Sequence, residues 1–150
     1  MYPYDFEADL EVKLSTHSLR VDLRVKNRSP RPMPVAPGLH PYFAIPAHTW
    51  STIRTNVAGF EIGSYRLGET LFFPLQRTLE LTLADRRLRM TVGGAFLRPS
   101  ARTVVWSDHR EYLCLEVWTA GVNGLLHPGE RVEIPAGGYS EFILEVAVER

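Results

Sequence analysis

Two side chains in this 150-residue sequence stand where acid–base chemistry could be done, His40 and Glu116. His40 lies in Pro37-Gly38-Leu39-His40-Pro41-Tyr42-Phe43. Pro41 biases the residue before it away from the helical basin, and Gly38 tolerates backbone angles that a side chain forbids, so the imidazole is expected on a stiff, non-helical segment. Imidazole can give or take a proton near neutral pH. Tyr42 and Phe43 offer flat faces that suit ligands with one apolar face and a polar rim, and they suit a core corner equally well. Glu116 lies in Tyr112-Leu113-Cys114-Leu115-Glu116-Val117-Trp118, where alternation puts Leu113, Leu115 and Val117 on one face and Tyr112, Cys114, Glu116 and Trp118 on the other. A carboxyl buried midway along such a strand holds its proton more tightly, as a general base working near neutral pH requires. Each residue also has a plainer reading: His40 as a satisfied structural group, Glu116 as an edge-strand acid turned to water.

The elements that must position them are strands. Phe6, Ala8, Leu10, Val12 and Leu14 alternate with charged residues, which predicts a strand with one buried face. After the polar Ser15-Thr16-His17-Ser18 turn, Leu19, Val21, Leu23 and Val25 alternate with Arg20, Asp22, Arg24 and Lys26, which completes a hairpin whose outer charges are expected to pair. Residues 27–37 carry four prolines and are expected as a loop delivering the chain to His40. Residues 44–68 are broken by Pro46, Gly59, Gly63 and Gly68 into loop with one or two short strands. Residues 78–83 and Leu88, Met90 and Val92 predict another hairpin, and residues 103–106, 112–118, 131–134 and 141–149 supply further strands. Gly93-Gly94 and Gly137-Gly138 read as turns, and Asp108 to Glu111 as a polar turn. No helical period persists, so the class is all-β, an antiparallel β-sandwich.

Composition narrows the partners. A chain of this length is expected to form one domain over residues 1–150 and to bury roughly two thirds of its unfolded surface. The 17 basic residues balance 17 acidic ones, which predicts no attraction to nucleic acid or to an anionic membrane and favours a small or uncharged partner. Fifteen of the basic residues are arginine, scattered along alternating segments as solvent-facing partners would be. Cys114 is the only cysteine, so a disulfide framework within the chain is excluded and a reducing, cytoplasmic setting is expected. The Met1-Tyr2-Pro3-Tyr4-Asp5-Phe6 start lacks the basic and apolar regions of a signal peptide. The five histidines show no paired metal spacing, and no metal or other cofactor is expected.

Taken together, Gly38-Leu39-His40-Pro41-Tyr42-Phe43 and Cys114-Leu115-Glu116-Val117-Trp118-Thr119 resemble the histidine and glutamate motifs of the aldose 1-epimerase (galactose mutarotase) family and its relatives acting on hexose 6-phosphates. Tyr2-Pro3-Tyr4-Asp5-Phe6, Asn27 with Pro32-Met33-Pro34, and Leu126-His127-Pro128-Gly129-Glu130 extend the resemblance over most of the chain. It implies a mutarotase-like supersandwich represented by about its second half, with Met1 where that half begins. It further implies interconversion of the α and β anomers of a hexose or hexose phosphate, with Glu116 as base on the anomeric hydroxyl and His40 as acid on the ring oxygen. Tyr42, Phe43 and Trp118 would supply substrate-binding surface, and no cofactor would be needed. Two departures stand out: Val117 occupies a position where many relatives have proline, and the absent half would carry further sugar-contacting or phosphate-binding groups. The family's sugar-holding aspartate is not placed on Asp85 or Asp108. A shortened chain leaves two other expectations open: a catalytically silent carbohydrate-binding or structural module, and a homodimer formed through exposed sheet edges.

Overall fold

The computed structural model describes residues 2–149, which form thirteen strands and three short 3-10 turns. In chain order the strands are β1 (Phe6–Leu14), β2 (Ser18–Asn27), β3 (Met33–Val35), β4 (Gly38–Leu39), β5 (Tyr42–Ala44), β6 (Arg54–Thr55) and β7 (Leu71–Pro74). They continue as β8 (Thr78–Thr82), β9 (Arg87–Gly94), β10 (Arg102–Trp106), β11 (Tyr112–Trp118), β12 (Val132–Ile134) and β13 (Tyr139–Glu149). No helix among the described residues is long and apolar enough to cross a membrane.

Alternating side chains make each strand two-faced, and the fold closes by laying two such faces together. One sheet has six strands in the order β1-β2-β13-β9-β8-β6, and the other has β4-β11-β10-β7 with β5 also paired to β11. Every described pairing is antiparallel. Leu79, Leu81, Met90, Val92, Phe142 and Leu144 of the first sheet meet Val105, Leu113, Leu115 and Val117 of the second in one core. A small β12-β3 ribbon closes one end. Asn27, fully buried at the end of β2, ties that ribbon down: its amide donates to the carbonyls of Arg31, Ile134 and Pro135, at 2.8, 2.9 and 3.2 Å, and its oxygen accepts from the Ser29 N–H at 2.9 Å.

The first hairpin forms in the expected register, with Leu14 opposite Leu19, but the expected buried face of β1 is not there. All nine residues of β1 are exposed, Leu10 at 61% and Leu14 at 83%. The physical reason is position: β1 is the outer edge strand of the larger sheet, paired on one side only among the described residues. Its outer charges pair partly across the hairpin, Lys13 lying 4.0 Å from Asp22, while Glu7 bonds Arg28 at 2.6 Å just past β2. Gly93-Gly94, expected as a turn, instead ends β9 inside the sheet. Residues 27–37, expected as loop, contain β3, and β7 lies in a stretch for which alternation gave no strand.

Candidate active site

The site is built on β11. In the antiparallel register β4 sets Leu39 opposite Val117, and β5 sets Tyr42 opposite Cys114. Both pairs belong to the same register, so β4 and β5 are one line of chain interrupted at His40-Pro41. Pro41 has no N–H to donate to a ladder, which accounts for the break. Residues 40 and 116 therefore fall opposite one another, and directly opposed residues share a face. His40 Nε2 lies 3.2 Å from Glu116 Oε1.

The same rule populates the rest of that face. Gly38 is opposite Trp118, Trp106 on β10 is opposite Cys114, and Phe72 on β7 is opposite Val104. The outcome is a cleft of about 240 Å³ lined by His40, Tyr42, Thr70, Trp106, Glu116 and Trp118. His40 stacks on Tyr42 with ring centres 4.8 Å apart and meets the Trp106 ring at 5.9 Å in an edge-on arrangement. Tyr42 in turn leans on Tyr112, whose hydroxyl hydrogen-bonds the Asp108 carboxylate, and that bond pushes the Tyr112 phenol up to about 12.

Glu116 and His40 differ in exposure. The glutamate side chain is 1% exposed, the imidazole 44%. Burial raises the Glu116 pKa above the ordinary carboxylate value, while the Trp118 indole N–H, 2.7 Å from Oε2, and the neighbouring His40 pull it back. The arrangement holds a proton-hungry carboxylate beside an imidazole that solvent or ligand can reach.

Of the five candidate residues, the structure brings His40, Glu116, Tyr42 and Trp118 together around the cleft. Phe43 is placed elsewhere: one residue on from Tyr42, it points to the other face of its strand and packs against the core. Trp106 belongs to the site and was not singled out by its sequence; alternation in β10 gives its face, but only the β10–β11 register shows that the face is the one holding Glu116. Asp85 lies in the β8–β9 turn, 3.0 Å from Arg86, on the other sheet. His40, Cys114 and Glu116 each offer a ligand-type atom within 4.8 Å of the others. Burial, the largest influence on it, pushes the Cys114 thiol up to about 12.

The fold has counterparts among solved structures. A Synechocystis sp. protein matches with a TM-score of 0.79 and 24% identity, over 99% of this chain and 56% of its own. A galactose mutarotase related enzyme from Lactobacillus acidophilus matches with a TM-score of 0.74 and 16% identity, over 99% and 63%. A galactose mutarotase-like protein from Clostridium acetobutylicum matches with a TM-score of 0.78 and 16% identity, over 99% and 57%. The architecture is therefore that of the mutarotase-like β-sandwich proteins. The aldose 1-epimerase family model matches residues 1–93, and the chain belongs to that family. It spans less than two thirds of the length of these solved relatives. No curated protein sequence matches it.

Proposed function

We propose that this domain carries the acid–base pair of an aldose 1-epimerase and interconverts the α and β anomers of a hexose by opening and reclosing the ring. The observation that carries the reading is the 3.2 Å approach of His40 Nε2 to Glu116 Oε1 within an aromatic cleft. Mutarotation requires a proton to leave the anomeric hydroxyl while another reaches the ring oxygen. Both oxygens are bonded to the same carbon, so the base and the acid must stand side by side, as these two groups do. Glu116, buried and with raised proton affinity, takes the hydroxyl proton. His40, the exposed member in its protonated form, delivers to the ring oxygen. The aldehyde then rotates, and the roles reverse as the ring closes on either face. Tyr42, Trp106 and Trp118 offer flat surfaces to the apolar face of a sugar ring. Phosphorylated hexoses remain within the same chemistry, and no step requires a metal or redox group.

The test is polarimetry of freshly dissolved α-D-glucose, α-D-galactose and the α anomer of glucose 6-phosphate with the purified protein. Acceleration above buffer is expected for at least one of them, with His40→Ala and Glu116→Gln each reducing it by about 10²- to 10⁴-fold. The alternative reading is a carbohydrate-binding or structural module that keeps the aromatic cleft without turnover. A folded sample that accelerates none of the three sugars selects it.

A further inference from the structure

We propose that Trp118 is a positioning residue that fixes which oxygen of Glu116 faces the acid partner, and that Gly38 is the residue that lets it do so. The inference rests on the reading of Glu116 as the base. Trp118 follows Glu116 by two positions on β11, so the two side chains share a face. The indole folds back along the strand and gives its N–H to Glu116 Oε2 at 2.7 Å, while Oε1 is the oxygen 3.2 Å from His40. One oxygen is thus occupied by a neutral donor, and the other is left for the proton that moves.

The ring can lie there only because position 38 has no side chain. A Cβ on Gly38 would stand 2.8 Å from Trp118 Cδ1, 3.1 Å from Cγ and 3.2 Å from Nε1. Those atoms lie at the root of the indole and at the donor itself, so the ring cannot yield without losing its aim at the carboxylate. Gly38 is absent from the residues with positive φ, so its requirement is for space and not for an unusual backbone angle. On the far side Phe72 meets the indole edge-on, with ring centres 5.6 Å apart. The indole is wedged between a bare backbone and an aromatic edge, which makes its orientation a property of the fold and not of the ligand. The N–H bond also offsets part of the effect of burial on Glu116, so that the carboxyl can ionise where it is needed.

The test is an NMR titration of the isotope-labelled full chain, whose three tryptophans give three indole N–H signals. Trp118→Phe identifies the Trp118 signal by its loss. That signal is expected to move with pH in one step that Glu116→Gln abolishes, and Gly38→Ala is expected to keep the signal but uncouple it from the titration. In the anomerisation assay, Trp118→Phe retains a stacking ring yet loses the donor. Its acid limb is expected to move to higher pH, with kcat falling more than KM changes. A Trp118 signal indifferent both to pH and to Glu116→Gln overturns the proposal, as does an unchanged acid limb in Trp118→Phe. Coupling of the indole to Glu116 in a protein that converts no sugar supports the positioning and removes the catalytic reading. Conversion of sugar by a protein whose indole ignores Glu116 does the reverse.

Discussion

Glu116, the proposed base, is the residue on which stability and the proposed activity pull against each other. Its carboxyl is buried to 1% exposure, and desolvation is the largest influence on it, raising its pKa from the ordinary 4.5. The folded protein then keeps a proton that the unfolded chain has already released. Stability is fully present below the unfolded value and is lost as pH rises through the raised folded value. Glu116→Gln removes this penalty, and the amide oxygen can still accept from the Trp118 indole. The variant is expected to melt above the parent at about pH 8, with the two curves converging at about pH 4, where the parent is protonated too. Thermal melts followed by circular dichroism at both pH values check this; an offset that does not change with pH would contradict it. A site residue whose replacement stabilises the fold while abolishing chemistry is the expected signature of a functional burial.

At the scale of elements, the alternation of the chain made most strands legible and one of the two site-bearing segments complete: residues 112–118 are β11 to the residue. The faces of β11 were legible as well, because period two leaves no choice once a strand is granted. What alternation could not supply was partnership. His40 and Glu116 are opposite because β4 and β5 keep one register across a proline, and register is decided by the whole sheet. For the same reason Trp106 could not be assigned to the site from β10 alone. Phe43 was grouped with Tyr42 on residue type, although neighbours on a strand face opposite ways. The missed strand β7, Leu71–Pro74, sits in an apolar run ending at proline that carries no alternation, and β3 hides among prolines. Gly93-Gly94 misled because glycine marks turns and sheet irregularities alike. Gly94 has φ 63°, and a Cβ there would stand 2.2 Å from the Glu141 carbonyl oxygen. Gly94→Ala is therefore expected to cost about 1–3 kcal/mol, read as a lower midpoint in urea unfolding. Asn27→Ala, which strips the donor from three buried or half-buried carbonyls, is expected to destabilise by about 1–3 kcal/mol in the same experiment.

At the scale of the whole sandwich, β1 is the exposed edge of the larger sheet. Phe6, Leu10, Val12 and Leu14 stand exposed along β1, and among the described residues the backbone groups on its outer edge have no neighbouring strand. β1 contains no proline, one of the usual protections against edge pairing. We propose that two copies of the chain associate there, β1 against β1 in antiparallel fashion. Centred on Leu10, that pairing would set Phe6 against Leu14 and Ala8 against Val12, with Glu7 facing Lys13 and only Asp9 against Glu11 opposing it. Light scattering during size-exclusion chromatography is expected to show a dimer, and Leu10→Lys with Val12→Lys is expected to return a monomer with unchanged circular dichroism. A monomeric parent at all concentrations would contradict the pairing.

The most direct test of the central claim is exchange between the α and β anomeric proton signals of a hexose at equilibrium, followed by NMR saturation transfer with and without the protein. It reads ring opening and closing themselves, with no coupling enzyme. Exchange faster than in buffer is expected, abolished in both His40→Ala and Glu116→Gln and declining on the acid side as Glu116 takes up its proton. Exchange that persists in both variants would contradict the assignment of this pair as the acid and base.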